Sequence, residues 1–252
     1  MNGLSHTSIE HSEKAVEILS RREFTVLWSG GKDSTAALLW VLNNVNHSSW
    51  NVLYVEITGN TDRECTEYVI ETADKLGISD KLRIIRTEDF FSLCRKWGIP
   101  TPFYRWCLHY LKKQAFKEAR NLTVTGVRKS DSKVRFGIGV FSYAKLTKKW
   151  CVNPIIEWKK EDVLDYLKQN GIKLNPCYDR LGHSGNCCFC PYADKDHIVR
   201  TMTDPYWGSK IMALLENPKV KEKAVKGAIG KYVYERWTKW KSQISLESYV
   251  FD

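Results

Sequence analysis

Phe24-Thr25-Val26-Leu27-Trp28-Ser29-Gly30-Gly31-Lys32-Asp33-Ser34-Thr35 decides the fold. Its first five residues are apolar or β-branched, the composition of a short buried strand. Two glycines follow, and Ala36, Ala37, Leu38, Leu39, Val41 and Leu42 then recur at helical spacing until Asn43, Asn44 and Asn46 end the run. A strand that passes through glycines into a helix turns consecutive backbone amides into one concavity. Hydrogen bonds and the helix dipole make that concavity favourable for phosphate. Glycine lets the backbone approach a ligand without a Cβ in the way. Ser29, Ser34 and Thr35 add hydroxyl donors, and Lys32 adds a charge. The stretch is not a Walker A loop, because Lys32 precedes Asp33 rather than Ser or Thr, and it lacks the Gly-x-Gly-x-x-Gly dinucleotide fingerprint.

Outward from this stretch, strands and helices alternate. Residues 9–20 have helical spacing. Asn51 to Ile57 reads as a strand closed by Thr58-Gly59-Asn60, and Glu64 to Leu76 as a helix stopped by Gly77. Leu82 to Ile85 is a third strand, Glu88 to Trp97 and Trp106 to Ala119 are helices, and Leu122 to Val127 and Cys151 to Ile156 are further strands. Lys160 to Asn170 is a helix, 175–191 a Gly-, Cys- and Pro-rich loop, and 192–252 a basic, Trp-rich helical region. Such alternation predicts an α/β fold: a doubly wound, mostly parallel sheet of about five strands with right-handed crossovers. Ligands of such sheets sit at the carboxyl ends of the strands, where the glycine loop falls. The expected division is a nucleotide-binding domain over 22–191 and a helical region over 192–252.

The chain has 252 residues, 43% hydrophobic, with 39 Lys and Arg against 29 Asp and Glu, a net charge of +10. That composition supports a packed core. The positive excess points to an anionic partner, a nucleotide or nucleic acid, or else to a solvated basic surface. No run of 18 apolar residues appears, and the polar start Met1 to Glu10 lacks the order of a signal peptide. A cytoplasmic protein without a membrane partner is expected. In that setting the eight cysteines read as reduced thiols or metal ligands rather than disulfides. Cys187-x-x-Cys190 has metal-type spacing, and Cys177 lies ten residues before Cys187. Cys65, Cys94 and Cys151 fall inside helices or strands and read as small core residues. Tyr206, Trp207, Trp237 and Trp240 lie among basic residues of the tail. They read either as a nucleic-acid surface or as a helical cap whose Trp rings face the core.

Ser29-Gly30-Gly31-Lys32-Asp33-Ser34 after the first strand resembles the PP-loop of ATP pyrophosphatases. Within that superfamily the chain is similar to the phosphoadenosine phosphosulfate (PAPS) reductase family. Thr58-Gly59, Arg105-Trp106-Cys107 before Leu111-Lys112, and Gly126-Val127-Arg128-Lys129-Ser130-Asp131-Ser132-Lys133-Val134-Arg135 follow that family's order. So do Asn153-Pro154-Ile155-Ile156-Glu157-Trp158, Asn175-Pro176-Cys177-Tyr178-Asp179 and Cys187-Cys188-Phe189-Cys190-Pro191. The likeness covers about residues 24–191. Asp131 stands where the family has Glu, and Ile57 where many relatives carry an acid.

The resemblance implies an adenylyl nucleotide, ATP or PAPS/adenylyl sulfate, held by Ser29, Gly30, Gly31, Lys32, Asp33, Ser34, Thr35, Gly59, Arg105, Gly126, Arg128 and Arg135. Lys32, Asp33, Arg128 and Arg135 are the candidate catalytic residues, with Asp33 a candidate ligand of nucleotide-bound Mg²⁺. Planar guanidiniums suit phosphate and sulfate oxygens. The resemblance adds Cys107 to Cys177, Cys187 and Cys190 as a four-thiolate metal site, with Cys188 and His183 as runners-up. A [4Fe–4S] cluster is favoured and zinc is the alternative. Thioredoxin-linked members of the family carry a cysteine near the C-terminus, and this chain has none after Cys190. The favoured chemistry is therefore ATP-dependent adenylation of an acceptor, tRNA or DNA among the candidates, followed by cluster-assisted sulfur transfer. The alternatives are reduction of PAPS or adenylyl sulfate to sulfite, and nucleotide binding without turnover. A homodimer is also among the expectations.

Overall fold

A computed structural model of the chain describes residues 6–47 and 49–243. In chain order the elements are α1 (His6–Ser20), β1 (Phe24–Trp28), α2 (Lys32–Asn44), β2 (Trp50–Glu56), α3 (Arg63–Lys75), β3 (Leu82–Arg86) and α4 (Phe90–Trp97). A π-helical turn, Cys107–Lys112, runs into the short α5 (Lys113–Ala115), followed by β4 (Leu122–Val124), β5 (Phe141–Ala144), β6 (Lys149–Val152) and α6 (Lys160–Gln169). The chain ends in α7 (Cys177–Leu181), α8 (Lys195–Thr203), α9 (Pro205–Glu216), α10 (Pro218–Val225) and α11 (Ala228–Thr238). Two compact units interleave along the sequence. The first comprises residues up to Glu56, Thr66–Ile85 and Lys113–Asn175, and the second Ile57–Cys65, Arg86–Lys112 and the residues from Pro176 on.

The first unit carries a six-stranded sheet in the order β3-β2-β1-β4-β6-β5. β1 pairs parallel with β2 and with β4, so that Val26 lies opposite both Val52 and Val124. β4 and β6 are also parallel, and β5 closes the edge antiparallel to β6. The mostly parallel sheet is as the alternation predicts, with one strand more than expected. Phe141–Ala144 is too short to carry a readable period, and its antiparallel pairing needs only a tight return from β6. The strand expected over 122–127 stops at Val124, and that expected over 151–156 lies at 149–152.

β1 is central, with buried residues on both faces: Phe24, Val26 and Trp28 on one and Thr25 on the other. Phe24 stacks on Trp50 of β2 with ring centroids 5.8 Å apart. The buried hydroxyl is also satisfied: Thr25 Oγ1 donates to Asn51 Oδ1 at 2.6 Å and accepts from the Arg120 amide at 3.0 Å. From β1 the sheet grows one way through β2 and the other through β4. The loop after β1 therefore opens at the point where strand order reverses, the place where open α/β sheets hold ligands.

The second unit is helical. Asp194, Asp204 and Asn217 cap α8, α9 and α10, accepting from the amides of His197 at 2.9 Å, Trp207 at 2.9 Å and Lys219 at 3.1 Å. Pro205 and Pro218 take the first helical positions of α9 and α10, where no N–H is missed. Trp207 and Trp237 are buried, the latter stacked on Phe189 at 4.6 Å, so these rings of the basic tail are core. The loop expected over 175–191 contains α7.

Candidate functional site

The glycine loop is built by its own hydroxyls. Gly30 takes φ +72°, a left-handed conformation that only glycine adopts without strain, and this turns the chain from β1 into α2. Ser34 Oγ accepts from the Ser29 amide at 3.1 Å, lies 3.0 Å from Ser29 Oγ and donates to the Gly31 carbonyl at 2.9 Å. Thr35 Oγ1 donates to the same carbonyl at 3.0 Å and accepts from the Trp28 indole at 2.9 Å. Asn175, from the Asn-Pro-Cys motif, donates to the Gly30 carbonyl at 3.2 Å. The N-cap of α2 is Gly31, which brings no side-chain acceptor to the first turn of the helix. That turn retains its affinity for an anion.

Gly126, two residues beyond β4, lies against this loop rather than beside an open space. A Cβ there would stand 2.5 Å from the carbonyl carbon and oxygen of Asp33 and 2.7 Å from the amide nitrogen of Ser34. The absence of a side chain at 126 is what lets the two segments meet.

The candidate cations form an alternating chain with acids. Lys32 Nζ lies 2.9 Å from Asp33 Oδ2, and Arg128 Nε lies 2.7 Å from Asp33 Oδ1. The Arg128–Asp33 contact is an ion pair without hydrogen-bond alignment, and it leaves both of these buried atoms lacking a hydrogen bond. Arg128 also donates to Asp131 at 2.5 Å, and Arg135 donates to the other oxygen of Asp131 at 2.5 Å. Lys32, Arg128 and Arg135 thus share two carboxylates, a net charge of +1. Asp131, which replaces the family's Glu, is the hinge of this chain. Both oxygens of Asp33 face cations, so this arrangement does not fit Asp33 as a Mg²⁺ ligand.

In the second unit, Cys107, Cys187 and Cys190 lie close enough to Lys112 to act on its charge, though their three sulfurs are not all within 4.8 Å of one another. Burial, and then the proximity of Cys187 and Cys190, push the Cys107 thiol up to about 11. Burial, and then Cys187, raise Cys190 as well. Lys112 is held above the ordinary lysine range, first by the charge of Cys187 as a thiolate. A metal cation would offset the burial that disfavours the Cys107 and Cys190 thiolates, and three half-buried sulfurs are soft ligands that suit an iron–sulfur cluster or zinc. Cys177 keeps other company. Its sulfur lies 3.6 Å from Asp62 Oδ1, and Asp62, Glu64 and Cys177 bring ligand-type atoms within 4.8 Å of one another. Arg180 already serves that group, at 2.8 Å from Asp62, 2.9 Å from Glu64 and 2.5 Å from Asp204. Burial disfavours the Asp62 carboxylate, but Trp207 and Arg180 outweigh it and hold the group below the ordinary range.

Gly59 takes φ +82°, and its carbonyl accepts from Lys210 Nζ at 2.7 Å. The Arg105 guanidinium lies over the Tyr192 ring, 5.2 Å from its centroid. His183 stacks on His197 at 3.7 Å, with its Nδ1 accepting from the Gly185 amide at 3.1 Å. Its Nε2–H therefore donates to Thr201 Oγ1, 3.0 Å away. Cys65, Cys94 and Cys151 are buried, as core residues should be. Asp62 and Arg180 are not marked by any pattern in the sequence, whereas Lys210 belongs to its basic, aromatic tail. Lys112 is marked by its place after Arg105-Trp106-Cys107.

A family model described as the phosphoadenosine phosphosulfate reductase domain matches residues 23–193. Two uncharacterized proteins of Methanocaldococcus jannaschii are similar to the chain. One is 27% identical over 213 residues, 78% of this chain and 49% of its own length, and the other is 28% identical over 181 residues, 68% and 36%. The chain thus spans about half the length of one and about a third of the other. Among solved structures, the phosphoadenylyl-sulfate reductase of Candida auris, in a phosphate complex, superimposes with a TM-score of 0.50 at 17% identity. The match covers 70% of this chain and 92% of that one and is a likeness of fold. No helix among the described residues is long and apolar enough to cross a membrane.

Proposed function

The chain belongs to the phosphoadenosine phosphosulfate reductase domain family, and from that premise we propose that it holds an adenylyl nucleotide in the Ser29–Thr35 loop and spends it in sulfur chemistry. The observation that carries this reading is the loop itself, braced by Ser29, Ser34 and Thr35 at the switch point of the sheet.

The favoured reaction uses ATP. An acceptor oxygen attacks the α-phosphorus, the bond from that phosphorus to the bridging oxygen breaks, and pyrophosphate leaves. A sulfur nucleophile then attacks the adenylated carbon, and AMP departs with the former acceptor oxygen. The loop amides and the first turn of α2 stabilise the negative charge that grows on the phosphoryl oxygens. Lys32 and Arg128 add positive charge once phosphate competes with Asp33 for them. Cys107, Cys187 and Cys190 would hold an iron–sulfur cluster or zinc, which when bound supplies a site for sulfur. In this reading tRNA or DNA is the acceptor, and Lys112 balances the charge of the three sulfurs.

A second reading, binding of PAPS or adenylyl sulfate with reduction to sulfite, draws on the family match alone. One experiment separates them: anaerobically purified protein is given ATP, ATP with bulk tRNA, or PAPS with a dithiol. Pyrophosphate that rises with tRNA supports adenylation, whereas sulfite from PAPS selects reduction. Absence of heat on titration with ATP and with PAPS overturns both.

A further inference from the structure

The second unit carries large aromatic rings in water rather than in its core. Phe103, Tyr104, Tyr192 and Tyr232 are 84%, 64%, 57% and 59% exposed. Scattered singly they would need no explanation, but contacts link the segments that carry them. The Tyr192 hydroxyl donates to the Pro102 carbonyl at 3.0 Å, which ties Tyr192 to the loop bearing Phe103 and Tyr104. Arg105 lies over the Tyr192 ring. Arg236 donates to the carbonyl of Ala193, the next residue, at 2.6 Å, and lies 5.7 Å from the centroid of Tyr232. The segments bearing residues 103–105, 192 and 232–236 are thus linked, with one guanidinium over the Tyr192 ring and one beside the Tyr232 ring.

The helical segment that carries Tyr232 and Arg236 is strongly basic. Residues 205–243 contain nine Lys and Arg against three Glu, so +6 of the chain's +10 sits on the helices that include Tyr232 and Arg236. A surface that buries against another protein is depleted in lysine. Exposed rings interleaved with Arg in a positive field suit a different partner, one with a flat face at every unit and a charge between units.

We propose that these linked segments form a stacking platform for an unpaired nucleic-acid strand, RNA or DNA. It names the acceptor class of the sulfur-transfer reading and rests on that reading for its purpose. Bases stack on Phe103, Tyr104, Tyr192 and Tyr232, while the lysines of the C-terminal helices neutralise the phosphates between them. Stacking is indifferent to base identity, so the platform predicts preference for single strands over duplex with little preference for sequence.

The test is fluorescence anisotropy of the full chain, without nucleotide, against labelled 12-nucleotide oligo-U, oligo-dT and a 12-base-pair duplex. At least one single strand is expected to bind tenfold or more tighter than duplex, with affinity falling linearly in log salt. The variants F103A, Y192A and Y232A should each weaken strand binding about 5- to 150-fold while leaving the salt slope and the melting temperature unchanged. A preference for oligo-U or for oligo-dT supports the platform and says which strand it takes. Equal affinity for duplex, or wild-type affinity in all three variants, overturns it. So does a concentration-dependent dimer that the same variants dissolve in a chain that binds no strand. Failure of the ATP reading is read separately: S34A should lose ATP heat on titration and keep strand binding.

Discussion

Replacing Gly126 by Ala tests whether the glycine loop is held in shape by what lies against it. The added Cβ would stand 2.5 Å from Asp33 C and O. Ordinary contact begins at 3.4 Å, so these backbone atoms must retreat by about 0.9 Å. No flexible side chain is available to absorb the shift. The atoms that must move are the peptide joining Asp33 to Ser34, in the first turn of α2. Overpacking of this kind costs about 1–3 kcal/mol. In a chain of this size that lowers the melting temperature by roughly 2–12 °C. The effect on binding is the sharper prediction, because a displacement near 1 Å in a positioning group can cost on the order of 100-fold. The assay is calorimetric titration with ATP and with PAPS, beside a thermal scan. Gly137→Ala is the control, since nothing lies within 4 Å of a Cβ there. Gly137→Ala is expected to keep nucleotide affinity and melting temperature. If Gly126→Ala matched it in both, the contact between 126 and 33–34 would have no bearing on the loop, and the reasoning would be refuted.

Two further outcomes follow from the charge pattern. Asp131→Asn removes the carboxylate that Arg128 and Arg135 share, so nucleotide affinity should rise about threefold or more at low salt, an advantage that fades as screening grows; weaker binding in a titration series would mean that Asp131 positions the arginines rather than competing for them. His183 is held neutral by burial and by the neighbouring His197, its pKa lowered to about 3, so the unfolded chain binds a proton below about pH 6.5 that the native fold does not. Stability is then complete above that pH and falls by about 1.4 kcal/mol per pH unit on acidification toward pH 3, and urea melts at pH 7 and pH 5 should show the loss shrink in His183→Asn.

The sheet was legible because its strands are short, apolar and separated by helices of clear period. β1 and α2 obey that pattern to within two residues, and the glycines between them admit one geometry. β5 escaped because four residues carry no period, and because its place at the edge is decided by pairing with β6 rather than by its own composition. The helix expected over 106–119 is broken into π, α and 3₁₀ turns, a tertiary choice that propensity does not encode. In the site, residue type and order pointed to the loop, to Arg128 and to the thiols. They did not reveal the partners. That Asp131 holds two arginines, and that Cys177 sits with Asp62 and Glu64 while Cys107 sits with Cys187 and Cys190, depend on contacts between residues distant in sequence.

That division of the cysteines bears on the metal. Four thiolates had been expected from Cys107, Cys177, Cys187 and Cys190. Cys177 sits with Asp62 and Glu64 rather than with the other three, and burial and then the Asp62 carboxylate hold its thiol far above the ordinary range. To become a ligand it would have to leave a carboxylate that Arg180 and Trp207 already hold in place. Burial raises Cys107 and Cys190 too, but there the neighbouring charge is the Lys112 ammonium, which works against the rise in both. A site completed by three cysteines keeps one coordination position for an exogenous ligand, the arrangement that separates a reactive metal centre from a closed structural one. Substitution of Cys177 by Ser should therefore leave metal content near that of the native protein, whereas Cys107→Ser, Cys187→Ser or Cys190→Ser should each empty the site. Metal analysis after anaerobic purification distinguishes these outcomes, and equal loss in all four variants would restore the four-thiolate arrangement and exclude the open position.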